Sequence, residues 1–385
     1  MKSLRNVKIL PLLAVVALVA AACSSGDTGR LSLSLTDKPS DDYDAVYVTI
    51  RQIDVHPATE PDGEWTTAVS PNKTINLLEL ANGVRESLGI VTLATGDYTQ
   101  MRLIIGDTPD TGTNILGQAY PFANYVIDSN GAVHEMKVPS GMQTGVKLVQ
   151  GFTINDNSTT ELTFDFDVSK SIVRAGASEQ YLLKPTIDVV DTAVAVVLSG
   201  TVSTPQGQST AGVGGALVSV QIYDAAAALV EDQVLTKTST FTDDTDAARG
   251  LYKFFFAVPS AGQTLNIVTT KDDLTPKAAR LTVQNGTAYT QDFTLDTVPS
   301  GTANVTITGA TAGQPVNLSF RQPMTLGADN VIVEIKFVSV VDTNANDLKL
   351  PAGDYTLVAW TEGKTTQQVP VHIAANAATA VTVAF

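Results

Sequence analysis

Carboxylates are the side chains in this sequence whose grouping could do chemistry, and they outnumber the basic residues, with 39 Asp and Glu against 24 Lys and Arg. One acidic segment places Asp342, Asn344 and Asn346 at the 1-3-5 oxygen spacing of a calcium-binding loop. An EF-hand loop has Gly at its sixth position and Glu at its twelfth, where this chain has Asp347 and Gly353. The segment predicts either a calcium site with Asp342, Asn344 and Asn346 as ligands or a solvated acidic turn.

Other acids occur in pairs and clusters. Asp165 and Asp167 alternate with Phe164 and Phe166, so the two carboxylates share one face of a predicted strand. We expect that face to meet solvent, because charge there keeps a strand soluble. Paired carboxylates also suit a glycosidase, but the two Trp residues that could form sugar subsites lie in separate segments. The remaining clusters are Asp37, Asp41, Asp42 and Asp44, and Asp243, Asp244 and Asp246.

Histidine and nucleophile motifs give little support for an enzyme. His56, His134 and His372 lie far apart, and the sequence has no HExxH, GxSxG or Walker-type pattern. We therefore expect no enzymatic activity. A hydrolase whose carboxylates carry no recognisable motif remains an alternative.

Cys23 is the single cysteine of the chain, which rules out a disulfide framework and a cysteine-based zinc site. The small and apolar residues 18–22 (LVAAA) precede it, a pattern typical of a bacterial lipobox, with Ala20 where Leu is commoner. The alternative is an ordinary secretory signal with a coincidental cysteine. We predict lipidation of the Cys23 thiol by a diacylglycerol unit, followed by acylation of the new N-terminal amine.

Residues 1–22 are predicted to be the lipoprotein signal peptide. A basic start precedes an apolar run over residues 9–22, and about 1.5 Å per residue gives that run roughly 21 Å, short of a ~30 Å hydrocarbon core. Residues 23–30 are a tether, and two or three acyl chains give a stable membrane anchor. Because Ser24 is not the Asp that retains lipoproteins in the inner membrane, we expect the outer membrane, on either its periplasmic or its extracellular face.

Beyond residue 30 apolar and polar residues alternate with a period of two, which predicts many short strands separated by Gly, Pro, Asn and Asp turns. This pattern predicts an all-β protein of serial antiparallel β-sandwich domains of immunoglobulin-like type. One short helix is predicted in the first domain near Leu77–Leu88, although Gly83 is unfavourable there.

Composition shifts divide the chain into domains at 31–192, 197–297 and 300–385. Stacked in series, each sandwich would add ~30–40 Å of length. A repeated motif supports the division, since residues 96–99 and 353–356 both read GDYT and the second domain has a looser Gly turn near Gly262. Common ancestry and convergent turn chemistry account for the repeat equally well.

Three motifs identify a resemblance for the first domain: residues 31–50 (LSLSLTDKPSDDYDAVYVTI), 96–103 (GDYTQMRL), and 164–172 (FDFDVSKSI) followed by 182–185 (LLKP). These segments resemble the domain of unknown function numbered 4382, which is found mainly in bacterial lipoproteins. The second domain resembles the carboxypeptidase regulatory-like, transthyretin-type sandwich through residues 199–202 (SGTV), 215–220 (GALVSV) and 250–254 (GLYKF). The resemblance implies a non-catalytic accessory module, and the third domain resembles the same sandwich more weakly.

These expectations combine into a non-enzymatic lipoprotein of the cell envelope that acts as a binding, structural or display scaffold. A carbohydrate-binding or adhesion protein is the nearest alternative, with Tyr43, Tyr47 and Tyr125 either lining a glycan surface or closing cores. Expected partners are the membrane, through the lipid anchor, and a cell-surface glycan or envelope protein. The net charge of -15 argues against nucleic acid, and no cofactor other than calcium is expected.

Overall fold

The computed structural model describes residues 27–40, 42–59, 65–139, 145–175, 180–341 and 343–385. Most of these residues lie in β-strands that form antiparallel-rich sheets, and few are helical, which confirms the predicted all-β class. The strands form three lobes with separate hydrophobic cores. We call residues 28–191 the first lobe, 196–294 the second lobe and 300–384 the third lobe.

The first lobe is a two-sheet sandwich with a short helix. Its strands are β1 Thr28–Lys38, β2 Tyr43–Pro57, β3 Thr66–Val69, β4 Lys73–Asn76, β5 Glu86–Ala94, β6 Gly96–Ile105, β7 Tyr125–Asp128, β8 Val133–Lys137, β9 Val146–Leu148, β10 Phe152–Ile154, β11 Thr159–Asp167, β12 Ile172–Ala175, β13 Gln180–Leu183 and β14 Ile187–Asp191. One sheet has the order β14-β11-β1-β5, and the other runs β10-β6-β2-β7-β8-β13-β12. The alternation of apolar and polar residues sets which face of β1 packs into the core. Its apolar residues Leu31, Leu33 and Leu35 are accordingly fully buried.

The helix predicted over Leu77–Leu88 is wrong beyond its first turn. Leu77–Leu80 form a single 3-10 turn, and the chain becomes β5 from Glu86 onward. Asn82 and Gly83 between them have φ angles of 64° and 77°, a left-handed conformation that ends a helix. The short α-helix of this lobe is instead α1, Val168–Ser171.

The second lobe is also a two-sheet sandwich. Its strands are β15 Val196–Gln206, β16 Ser209–Gly212, β17 Leu217–Tyr223, β18 Val234–Phe241, β19 Leu251–Phe256, β20 Gln263–Lys271, β21 Leu274–Val283, β22 Ala288–Thr290 and β23 Phe293–Thr294. β15 pairs with β16, β19, β22 and β23 in one sheet, and the other has the order β18-β17-β20-β21. β18 forms an edge of this second sheet.

The third lobe repeats the plan. Its strands are β24 Ser300–Thr308, β25 Val316–Leu326, β26 Asp329–Val340, β27 Asn344–Pro351, β28 Gly353–Trp360, β29 Gln367–Ile373 and β30 Ala378–Ala384. One sheet has the order β27-β24-β30 and the other β26-β25-β28-β29. β26 continues the second sheet of the first lobe through a parallel pairing of Arg174 in β12 with Val340, so one sheet crosses two lobes.

The GDYT repeat marks equivalent crossings from one sheet of a sandwich to the other. Gly96 and Gly353 have positive φ angles of 133° and 155° at the β5–β6 and β27–β28 corners. In both corners the tyrosine is buried, and its hydroxyl donates to the carbonyl four residues earlier: Tyr98 to Ala94 at 3.1 Å and Tyr355 to Pro351 at 2.7 Å. The repeat therefore encodes a specific corner.

The three lobes pack against one another and do not extend as a rod. β1 of the first lobe contacts β18 of the second, β17 of the second contacts β26 of the third, and α1 of the first also contacts β26. The expectation that each sandwich adds its full length is therefore wrong, because every pair of lobes is in contact.

Candidate functional site: a buried charge cluster between two lobes

A buried ammonium lies among carboxylates at the end of β1. β1 and β11 are parallel neighbours, and their register places Thr36 opposite Asp165 and Lys38 opposite Asp167. The Lys38 Nζ atom lies 3.7 Å from Asp165 Oδ2 and 3.9 Å from Asp167 Oδ2. It donates a hydrogen bond of 2.8 Å to Asp188 Oδ2 on β14. We call Lys38, Asp165, Asp167, Asp188 and the helix residue Lys170 the charge cluster.

The centre of the charge cluster is withdrawn from water. Lys38, Asp165 and Asp167 are each at most 3% exposed. The expectation that Asp165 and Asp167 face solvent is wrong, although both do lie on the side of β11 opposite its buried phenylalanines. The reason is that β18 of the second lobe covers this face of the sheet, with Thr238 buried against it.

The rim of the charge cluster is only partly exposed. Lys170 Nζ lies 3.7 Å from Asp167 Oδ2, and the Lys170 N–H donates to Asp167 Oδ1, which makes Asp167 the N-cap of α1. Asp188 is the most exposed member, at 64% of its side chain. Lys237 of the second lobe is held near it, and burial lowers the pKa of the Lys237 ammonium while Asp188 opposes that change. Charges from two lobes thus meet at one interface.

Burial and the crowding of like charges shift the acid–base behaviour of the cluster. Burial raises the pKa of Asp165 to about 7, with Lys38 opposing this rise and Asp167 adding to it. Burial alone would lower the pKa of Lys38, but Asp165, Asp167 and Asp188 together raise it above its ordinary value. Lys38 is therefore a fixed positive charge and a poor nucleophile.

Asp37 adds a third buried carboxylate beside the cluster. It is 4% exposed, and neither of its oxygens meets full hydrogen-bond geometry with a described residue, although the Val168 backbone N–H lies close enough to oppose the rise of its pKa. Burial raises its pKa well above the usual range, and Asp165 and Asp167 add to the rise. Asp37 and Asp165 line a cavity of about 10 Å³ between the first and second lobes, whose other walls include Asn82 and Thr238. That volume holds one water-sized particle and no organic substrate.

A larger groove lies on the outside of the first lobe, where β10 of one sheet approaches β11 and β14 of the other. It measures about 400 Å³, and more than half of its lining residues carry hydroxyl, amide or carboxylate groups: Gln150, Thr153, Asn155, Ser158, Thr159, Thr160 and Asp191. Thr160 Oγ1 donates to the Thr153 carbonyl at 2.9 Å, which fixes the distance between the two walls. Asp191 is the one acid among these lining residues.

The structure places the residues singled out in the sequence as follows. Cys23, the signal peptide and Asp342 lie outside the described residues. Asn344 and Asn346 are exposed on β27. Among the residues that the structure describes, no three His, Cys, Asp or Glu side chains are grouped to hold a metal ion. The calcium ligand set proposed for this segment therefore stays a prediction.

The three histidines are separate, and each has its own partner: Thr99 for His56, Asp128 for His134 and Asp354 for His372. Of the tyrosines considered for a glycan surface, Tyr47 and Tyr125 are instead buried and stacked at 4.6 Å. They close a core, which was the second of the two possibilities given for them.

Sequence analysis missed the cations of the interfaces. Lys38 was overlooked beside Asp37, and Arg321 was not considered, although it is 2% exposed and fully enclosed between the second and third lobes. A usable signal was present in both cases. Each cation lies within or at the end of an alternating apolar strand, where a charge needs a buried partner.

Comparison with known proteins gives one family match. Residues 28–185 match the family described as Domain of unknown function (DUF4382), which confirms the resemblance found for the first domain. No curated protein matches the chain. Within the described residues, no helix is long and apolar enough to cross a membrane.

Among solved structures, the TIE protein of Bacillus anthracis is 12% identical to this chain, with a TM-score of 0.20. The match includes 93% of this chain but only 51% of the TIE protein. A streptococcal ancillary pilin is 10% identical over 92% of this chain and 98% of its own, also with a TM-score of 0.20. The shaft pilin SpaA of Lactobacillus rhamnosus GG is 9% identical over 50% of this chain and 97% of its own, with a TM-score of 0.19. The proposals below rest on the residues of this chain and not on these likenesses.

Proposed function

We propose that this protein is a non-enzymatic lipoprotein of the cell envelope whose three lobes form one braced scaffold at the outer membrane or cell surface. Acyl chains on Cys23 hold it at the membrane, after removal of residues 1–22. The sequence before Cys23 supports the anchor, and the contacts between lobes support the scaffold.

The observation that carries the scaffold proposal is that polar contacts join all three pairs of lobes. Asn82 of the first lobe donates through its side-chain amide to the Leu251 carbonyl of the second at 3.2 Å and accepts from the Lys253 N–H at 2.7 Å. Gln221 of the second lobe exchanges two hydrogen bonds with the backbone of Glu334 in the third, at 2.8 and 2.9 Å. The Val341 N–H of the third lobe donates to the Arg174 carbonyl of the first at 2.9 Å. A body joined at three interfaces resists bending better than one joined at two, which suits a scaffold.

Arg321 reinforces the interface between the second and third lobes. Its guanidinium donates to the carbonyls of Val230 at 2.7 Å and Glu231 at 2.8 Å, and its Nε donates to Ser319 at 2.9 Å. A buried Arg with three directed hydrogen bonds fixes orientation as well as distance. The cavity at the interface of the first and second lobes has room for one water-sized particle and not for an organic substrate, which supports a structural role for the charges buried there.

The domain organisation is part of the proposal. Residues 31–192 form the domain of unknown function, 197–297 form a carboxypeptidase regulatory-like module, and 300–385 form a further sandwich of similar kind. The two-sheet architecture of the second and third lobes supports this division.

Metabolic labelling tests the anchor. Cells that express the full chain are grown with radiolabelled palmitate, and we expect label in the wild-type protein and none in Cys23→Ala. Ser24→Ala is the matched control, because it leaves the thiol in place and should keep the label. Wild-type protein without label, or label that persists in Cys23→Ala, would refute the lipid anchor. Protease treatment of intact cells then separates the periplasmic face from the extracellular one.

The groove of the first lobe favours one second function, binding of a neutral polysaccharide. Hydroxyl and amide side chains at the walls of a 400 Å³ groove suit the hydroxyls of sugar rings. Gly151 lines the groove, and a side chain there meets ordinary packing space, so Gly151→Arg would block it without strain.

Affinity electrophoresis through gels that contain dextran or another neutral glucan tests this function. Binding predicts retardation of the wild type, loss of retardation in Gly151→Arg, and full retardation in Thr210→Arg, an exposed change on the second lobe. Equal mobility of the wild type in gels with and without every glycan tried would remove the candidate.

A further inference from the structure

The buried charges between the first and second lobes do not balance. Asp37, Asp165 and Asp167 contribute three carboxylates, and Lys38 contributes the one ammonium buried with them. At the rim, Asp188 carries one negative charge, and Lys170 and Lys237 carry one positive charge each. Ionised carboxylates in a site this dry are costly unless they are neutralised. If all four groups are ionised, the enclosed residues are short of two positive charges; protons on Asp37 and Asp165, whose pKa values burial raises, or a bound cation would remove this deficit.

Unsatisfied oxygens face the place where such a charge would fit. Both oxygens of Asp37 and Oδ1 of Asp165 are buried, and none of them meets full hydrogen-bond geometry with a described residue. Both side chains line the cavity of about 10 Å³, the size of one small particle. The Thr238 side chain, 3% exposed, lines the cavity from the second lobe.

We propose that this cavity binds one calcium ion, held by the carboxylates of Asp37 and Asp165 and by the hydroxyl of Thr238. Calcium takes oxygen ligands and tolerates irregular geometry, whereas magnesium demands a near-ideal octahedron. A divalent ion brings the enclosed charge to zero. No described residues form a metal site with three or more His, Cys, Asp or Glu ligands. The proposed site has two carboxylate residues, so neutral oxygens must supply the rest of the calcium coordination shell.

The position of the ion gives it a role. Asp37 and Asp165 belong to β1 and β11 of the first lobe, and Thr238 belongs to β18 of the second. Binding would therefore hold the two lobes together. This site is separate from the acidic segment at Asp342, which lies in the third lobe, and it does not depend on lipidation of Cys23.

Thermal unfolding of the full-length chain in detergent, with calcium chloride or with EDTA, tests the proposal, and calorimetric titration with calcium chloride gives the stoichiometry. We expect a higher melting temperature in calcium and one ion bound per chain. Asp37→Asn should lose the response to calcium and should melt in EDTA no lower than the wild type, because the amide has the same shape without the charge. Asp347→Asn is the control and should respond like the wild type.

Thr238→Val provides a second variant that changes no charge, and it should weaken calcium binding without abolishing folding. Identical wild-type curves in calcium and EDTA would overturn the proposal, as would a full response in Asp37→Asn. A response lost in Asp342→Asn, which removes the carboxylate of the ligand set predicted for the acidic segment, and kept in Asp37→Asn would transfer the ion to that segment. Stability that falls with rising pH and ignores calcium would assign the neutralisation to protons instead.

Discussion

Replacing Lys38 with methionine should destabilise the first lobe strongly. Methionine matches the length of the aliphatic part of lysine, so the packing is largely kept while the charge is lost. Lys38 Nζ lies 3.7 and 3.9 Å from two buried carboxylates, and one such pair attracts by roughly 4 kcal/mol at an effective dielectric constant of about 20. In the wild type, the cost of removing the lysine from water offsets part of this attraction. In the variant, Asp165 and Asp167 stay buried without the ammonium that compensated their charge. We expect a loss of about 3–5 kcal/mol.

The two tryptophans allow the lobes to be followed separately. Trp65 lies in the first lobe, where the Arg102 guanidinium stacks 4.7 Å from its ring, and Trp360 lies in the third. In a Trp360→Phe background, urea unfolding monitored by fluorescence reports the first lobe alone. This separation matters because a chain of several lobes need not unfold in one step.

The control for Lys38→Met is Lys73→Met. Lys73 pairs with Glu86, but the two side chains are 46% and 32% exposed, so water screens the pair. That change should cost less than about 1 kcal/mol. Adding Asp165→Asn and Asp167→Asn to Lys38→Met should restore part of the loss, since the two carboxylates that Lys38 contacts are then neutral amides. A Lys38→Met protein within about 1 kcal/mol of wild type would refute the account of the charge cluster.

Three further changes probe other contacts. Arg321→Lys should cost about 2–4 kcal/mol in urea unfolding, because one ammonium cannot replace three directed guanidinium bonds. Asn82→Gly keeps the left-handed backbone but removes side-chain hydrogen bonds to the second lobe, so limited proteolysis near residue 194 should quicken. The hydrogen bond from His134 lowers the pKa of Asp128, so its stabilisation is present above about pH 4 and lost as pH falls further. Asp128→Asn should therefore lower the melting temperature at pH 6 and leave it unchanged at pH 2.

The strands and their faces could be predicted because a period of two in hydrophobicity directly reports a half-buried sheet. The GDYT repeat was also informative, since it marks the corners at Gly96 and Gly353. The helix over Leu77–Leu88 failed for a local reason. Apolar residues at three- and four-residue spacing fitted a helix, but Asn82 adopts a positive φ and binds the second lobe through its side chain.

The candidate site could be predicted only in part. Alternation correctly placed Asp165 and Asp167 on the face of β11 away from the core of the first lobe. It could not show that β18, some seventy residues further along the chain, covers that face. A sequence pattern shows which face of a strand points away from the core of its own sandwich. Whether that face is buried depends on a neighbouring lobe, which the pattern does not encode.

The polarity of the interfaces explains why the chain looked like a string of independent domains. An apolar interface would have left runs of hydrophobic residues on the outward faces of the strands, but these lobes meet through polar residues such as Asn82, Arg321, Gln221 and Glu334. Such residues read as solvent-facing in a sequence and are costly to bury unless each finds a partner. Their partners belong to different lobes, so each interface is satisfied only in one relative orientation. Loss of one partner should therefore loosen the orientation of two lobes before it unfolds either of them.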